Sequence, residues 1–213
     1  MNFLKNKLKN LIILFIVLPL ISCSIDSQND FDIDEIIDNA IKNSNRTKKN
    51  SSRDYQHKPA EILKFAELNP GMTVLDLVSN GGYYAEMLAS ILGNKGNVIA
   101  HTFTRNKSNP DFDYDDYVNK SEHMNNVSMM YADFDEIVLN EGSLDRVFMI
   151  ENYHKLYSDL AEPKTDAVQQ LLEKIRHALK PGGLVIIIDH DAEKGSSIAT
   201  ASSINRLSDE IVM

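Results

Sequence analysis

The chain reads as an α/β protein with a doubly wound, mainly parallel sheet and helices on both faces. Three observations predict this class. Short runs that are apolar almost throughout recur at 73–78, 97–102, 127–132, 145–150 and 184–188, the pattern of strands covered on both faces. Helical or turn-rich stretches alternate with them, as crossover connections require. The first run ends in an acid, Asp76, and passes through Gly81-Gly82 into a helical pattern. Such a strand–turn–helix unit places the first N–H groups of a helix beside an electron-rich ligand group.

The 213 residues accommodate one domain of ordinary size plus an extension. At 43% hydrophobic the chain can bury a core, so global disorder is excluded as its class. A net charge of −9 argues against a nucleic-acid backbone as the main partner, which needs a basic face.

The first 22 residues read as a leader. Lys5, Lys7 and Lys9 form a basic start, and residues 11–21 are apolar apart from Pro19. That run falls short of the roughly 20 residues a bilayer span takes, but suits a signal-peptide core. Leu20-Ile21-Ser22-Cys23 resembles a bacterial lipobox, in which the cysteine takes acyl chains, and Cys23 is the single cysteine of the chain. This predicts export and a lipid anchor at Cys23, facing the periplasm or the outer surface of the cell envelope. A short uncleaved signal anchor is the alternative, and it exports the domain equally. Lipidation of Cys23 leaves no disulfide in the mature domain.

Residues 23–57 are polar, with a weak helical pattern at Ile33, Ile36, Ile37 and Ile41. They are expected to form a tether with one short amphipathic helix lying against the domain. Asn43 to Ser52 lacks apolar residues and is expected to be a loop or a frayed helix end. The domain proper is expected over 58–213. Pro59 suits a helix's first turn, Ile62, Leu63, Phe65, Ala66 and Leu68 supply its stripe, and Asn69-Pro70-Gly71 stops it. After strand 73–78, a helix is expected at 82–92 and a strand at 97–102. A loop over 103–112 leads to a helix carrying Tyr114, Tyr117 and Val118. Strand 127–132 leads to Asp133, and Gly142-Ser143 turns the chain into strand 145–150. A helix at 164–179 ends at Pro181-Gly182-Gly183, before a fifth strand at 184–188 expected to be central and covered on both faces.

Asp76, the Gly81-Gly82 turn, Asp133 and the run Leu179 through Gly183 fall in one family's order and spacing. Over residues 55–191 the chain resembles the class I S-adenosylmethionine-dependent methyltransferases. Within them it is similar to a bacterial group of exported methyltransferases, through Pro59-Ala60-Glu61-Ile62-Leu63-Lys64-Phe65, Pro70 through Leu77, Asn152-Tyr153-His154 and Asp189-His190. The resemblance implies S-adenosylmethionine as cofactor. Asp76, Asn80, Gly81 and Gly82 would hold its methionine end, and Asp133 its adenine amino group, with Phe134 flanking the ring. Alternatively Asp133 or Asp135 caps a helix. Against the family's Asp-x-Gly-x-Gly-x-Gly, Val78 and Asn80 replace the first two glycines. Asn80 tolerates positive φ, and β-branched Val78 is expected in ordinary strand geometry. His101-Thr102 stand where the family's ribose-binding acid ends its second strand. The resemblance also implies two strands after the fifth, which are lacking here.

Methyl transfer needs an aligned acceptor and, for O–H or N–H groups, a base. Glu151, Tyr153, His154 and His190 lie at the expected carboxyl ends of strands. His154 is the first choice for base, Tyr153 for positioning, and Glu151 joins the cofactor set; the acceptor stays unknown. Asp189, His190 and Asp191 are a poor metal set, because adjacent residues seldom face one ion. The competing reading is a non-catalytic ligand-binding or structural lipoprotein that keeps the fold. A nicotinamide enzyme fits worse, since G-x-G-x-x-G is absent.

Overall fold

The computed structural model describes residues 32–79, 81–104, 122–158, 165–198, 203–208 and 210. The leader, Cys23, Asn80 and the helix expected around Tyr114, Tyr117 and Val118 lie outside the described residues.

Five parallel strands form one sheet in the order β3-β2-β1-β4-β5. They are β1 (Thr73–Asp76), β2 (Asn97–Thr102), β3 (Val127–Tyr131), β4 (Leu144–Ile150) and β5 (Leu179–Ile188). Alternation along the strands divides the core between two faces. Val74, Phe148 and Ile150 pack on one side with helix α5 (Tyr83–Leu92). Leu75, Val147 and Met149 pack on the other with the crossover helix that precedes β5.

The expected fifth strand differs in two respects. It starts at Leu179, which pairs with Leu144, and the register then shifts between Leu144 and Arg146. Pro181-Gly182-Gly183 therefore lies within the strand's irregular start. A Cβ on Gly183 would meet the Leu144 carbonyl oxygen at 3.1 Å, so close backbone approach requires glycine there. Moreover, β5 is an edge strand of the described sheet, which accounts for its proline. Leu184 is 40% exposed, and Ile186 is the strand's one fully buried residue.

The segment expected as a tether is built into the domain from Asp32 onward. Asp32 accepts the N–H groups of Asp34 and Glu35 at 3.1 and 3.3 Å, capping helix α1 (Ile33–Ile41). Ile37 and Ala40 of α1 are fully buried with Leu63 of α4 (Pro59–Phe65) and Leu88 of α5. The stretch 43–52, expected as a loop or a frayed helix end, contains the short helix α2 (Lys48–Ser51), capped by Thr47, and a second short helix, α3 (Asp54–His57), follows. What replaces an apolar stripe here is a pair of buried polar residues, Arg46 and Asn50. After β4 come α6 (Lys155–Ser158) and α7 (Thr165–Ala178).

Candidate functional site

In this strand order the chain reverses direction of winding between β1 and β4, and ligands of such sheets bind at the carboxyl ends of those strands. Asp76 ends β1 there. Its carboxyl is 2% exposed and accepts the Ser79 hydroxyl at 2.5 Å. Burial pushes its pKa up to about 7.

The turn that follows departs from expectation at Val78. Its φ is +57°, left-handed, as are Gly81 and Gly82 at +78°. A β-branched residue there costs roughly 1–2 kcal/mol, and two contacts hold it. The Val78 N–H donates to His101 Nδ1 at 3.1 Å, and its carbonyl accepts Asn152 Nδ2 at 3.2 Å. Val78 thus keeps the backbone shape that glycine would adopt freely. At Gly81 an added Cβ would meet open space, so the positive φ, not crowding, is what calls for glycine.

His101 is fully buried, with Nε2 donating to the Ala132 carbonyl at 3.0 Å. Nδ1 accepts from Val78, so the ring proton sits on Nε2. Burial pushes its pKa down and favours this neutral form. The residue found where a ribose-binding acid was expected therefore ties the ends of β1, β2 and β3 together.

Past β4, Glu151 also has a left-handed φ of +56°, and its N–H donates to the Ile188 carbonyl at 2.6 Å. Its carboxylate meets His57 Nδ1 at 2.7 Å. Asn152 donates to the Leu77 carbonyl at 2.7 Å, leaving its own Oδ1 buried without a partner. The Tyr84 hydroxyl is likewise buried and unpartnered. Both residues line a cleft with Asp76, Ser79 and Glu151, and Arg53, His57 and Tyr83 close it.

Of these, Arg53 and His57 come from the N-terminal segment and Tyr83 from the start of α5. Arg46 holds both carboxylate oxygens of Asp54 at 2.8 and 2.9 Å, and the Tyr83 hydroxyl donates to Asp54 at 2.8 Å. Burial pushes the Tyr83 hydroxyl pKa up, keeping it a donor. The Thr47 N–H donates to Glu86 at 3.1 Å, and Arg53 lies over the Tyr83 ring at 4.9 Å. Sequence reasoning missed Arg53 and His57, which carry no periodic signal. It gave no site role to Tyr83 and Tyr84, which follow the glycine turn, or to Asn152, which opens the Asn152-Tyr153-His154 motif.

Neither member of the expected catalytic pair lines this cleft. Tyr153 is 3% exposed in the core, with its hydroxyl 3.5 Å from that of Tyr157, and it does not line the cleft. His154 is also buried, and its Nδ1 faces both Asp189 carboxylate oxygens at 3.0 Å. Its backbone N–H donates to the same carboxylate at 2.8 Å. Burial alone would raise the Asp189 carboxyl; the hydrogen bonds from His154 and His190 outweigh it and hold the group below its usual range. Nδ1 thus carries a hydrogen. His190 and Asp191 are exposed, and no group of three metal-ligating side chains converges among the described residues.

At the end of β3, Asp133 is exposed, and its N–H bonds to Glu136 at 3.3 Å in a turn. The Phe134 ring is buried, edge-on to Phe103 at 4.9 Å and stacked on His101 at 6.0 Å. It therefore packs in an aromatic cluster instead of standing open for an adenine.

This strand order, with an acid and a glycine turn at the switch point, is a Rossmann-like arrangement that the class I S-adenosylmethionine-dependent methyltransferases share. The model of the protein-L-isoaspartate(D-aspartate) O-methyltransferase family matches residues 34–149, and the chain belongs to that family. It is 28% identical to a methyltransferase of Aquifex aeolicus, with a TM-score of 0.54 over 79% of this chain and 80% of that one. A Haloferax volcanii protein solved with the Trm112 methyltransferase activator is 19% identical, at TM-score 0.50 over 85% and 72% of the two chains. YcgJ of Bacillus subtilis is 13% identical, at 0.55 over 74% and 64%. These last two likenesses are of fold alone. No curated protein matches the chain. The protein is thus an S-adenosylmethionine-dependent methyltransferase.

Proposed function

We propose that the chain is an exported, lipid-anchored enzyme that moves a methyl group from S-adenosylmethionine to an acceptor bearing an O–H or N–H group. The observation that carries the cofactor site is the convergence of acceptor atoms at the switch point. The Asp76 carboxyl, the Glu151 carboxylate and the unpartnered Asn152 Oδ1 line one cleft beside the Gly81-Gly82 turn. An ammonium group has three N–H bonds and needs such acceptors, so these residues fit the cofactor's methionine end. When bound, the cofactor supplies an already activated methyl group.

Asp189 holds the His154 ring by Nδ1, so its Nε2 is the atom that takes the acceptor's proton. A carboxylate acceptor, of the kind in the matched family's name, would need no base, and His154 would then serve packing alone. The two readings separate on His154→Ala. Release of S-adenosylhomocysteine would be followed with isoaspartyl peptides and with a panel of hydroxyl and amine compounds. An O–H or N–H acceptor predicts a loss of roughly 10²–10⁴-fold. A loss under tenfold on an isoaspartyl peptide would favour the carboxylate.

Anchoring rests on the Leu20-Ile21-Ser22-Cys23 sequence and the basic, apolar leader before it. Among the described residues no helix is long and apolar enough to cross a membrane. Cys23→Ser is expected to abolish metabolic labelling with palmitate, and unchanged labelling would refute the anchor.

A further inference from the structure

We propose that His57 is a latch that closes the cofactor cleft in the ligand-free chain, occupying on Glu151 the place a ligand ammonium group would take. The proposal rests on the cofactor site described above and adds a chain segment, residues 46–57, that the site's own motifs do not include.

The cleft as it stands has about 20 Å³ of free space, room for a single water molecule. Pockets for small ligands and cofactors run to some 300 Å³ or more. Something must move before a nucleoside joined to an amino acid can enter, and the N-terminal segment covers the cleft. His57 and Arg53 both line it, while Asn50 reaches the Gly81 carbonyl at 3.4 Å.

Hydrogen-bond chemistry makes His57 a stand-in for an ammonium group. Arg53 Nε–H donates to His57 Nε2 at 3.2 Å, so that nitrogen is an acceptor and the ring hydrogen sits on Nδ1. Nδ1 then donates to Glu151 at 2.7 Å, one N–H bond to the carboxylate that the cofactor is proposed to use. The His57 ring also rests on Tyr83, with centroids 5.1 Å apart. Both partners are placed by strain. Glu151 holds a left-handed φ of +56°, and Lys58, which follows His57, one of +45°. Backbone in such sparsely populated conformations is strained and gathers at clamps and switches. Lys58 is the joint at which α3 swings, while the fork of Arg46 on Asp54 holds the segment's far end together.

Calorimetric titration of the full chain in detergent with S-adenosylhomocysteine tests the latch. His57→Ala, freed of the competing contact, is expected to bind roughly tenfold more tightly than the wild type. In the wild type the same ligand should speed tryptic cleavage after Arg53, a measurement that needs no variant; the Lys58–Pro59 bond resists trypsin. Weaker binding by His57→Ala with an unchanged circular dichroism spectrum, or protection of the Arg53 site by the ligand, would overturn the latch and leave the cofactor site standing. No heat from either protein at millimolar ligand would overturn the cofactor assignment, and the latch with it.

Discussion

Affinity for S-adenosylmethionine is expected to rise about tenfold per pH unit towards neutrality and to level off above the Asp76 pKa of about 7. In the ligand-free chain, burial favours the protonated acid. An ammonium group beside it favours the carboxylate, so below that pKa binding must first expel a proton. Free-protein stability runs the opposite way. A carboxyl whose folded pKa lies above its ordinary 3.8 stabilises most below 3.8, and this contribution is lost as the pH rises to about 7. Asp76→Asn should therefore flatten the affinity profile, weaken binding at pH 8, and raise the midpoint of urea unfolding at that pH. Calorimetric titrations from pH 5.5 to 8.5 give the first result directly. A flat wild-type profile would remove Asp76 from the site.

His101→Leu is expected to cost about 3–5 kcal/mol of stability, read as a lower urea midpoint. It leaves the Val78 N–H and the Ala132 carbonyl without partners in a buried position, at roughly 1–3 kcal/mol each. It also frees Val78 from the contact that holds its left-handed backbone. His101→Gln carries an acceptor and a donor at a similar reach, and should recover more than half of the loss. The histidine sets an acid limit as well. Because its folded pKa lies below the ordinary 6.5, its neutral form stabilises the fold above 6.5, and that stabilisation fades as the pH falls below it. The leucine variant should lose this part of the acid dependence. A cost below about 1 kcal/mol would show that the bracket is dispensable.

Asp76 and His101 thus pull the pH response in opposite directions at the two ends of one turn. Their difference shows how unevenly the site was legible. The acid and the glycines were readable because their demands are local: an acid ends an apolar run, and a turn with positive φ favours glycine. His101 was readable only as a missing acid. Its role depends on β2 lying between β1 and β3, so that one ring meets a backbone N–H on one side and a carbonyl on the other. Val78 was misjudged for the same reason. Intrinsic preference argued for strand geometry, and contacts from His101 and Asn152 override it.

The N-terminal segment shows a second kind of limit. Apolar periodicity marks α1, but residues 43–57 carry no such stripe. Their docking uses polar groups in pairs, the buried Arg46 with half-buried Asp54 and half-buried His57 with Glu151, which periodicity does not register. Tyr153 and Phe134 show the converse. Both are placed next to motif residues by sequence, and both turn into the core, where Tyr157, Phe103 and His101 receive them.

The sequence by itself determined the alternation of strands and helices, the parallel sheet, and the turn after Asp76. These follow from apolar period, turn chemistry and backbone sterics within a few residues of each position. The tertiary structure alone decided the strand neighbours of His101, the left-handed backbone at Val78, and the closing of the cleft by Arg53 and His57. Each of these arises between residues at least twenty positions apart in the chain, as Val78 and His101 are. No local preference encodes such a meeting, which exists only once the sheet has brought the strand ends together.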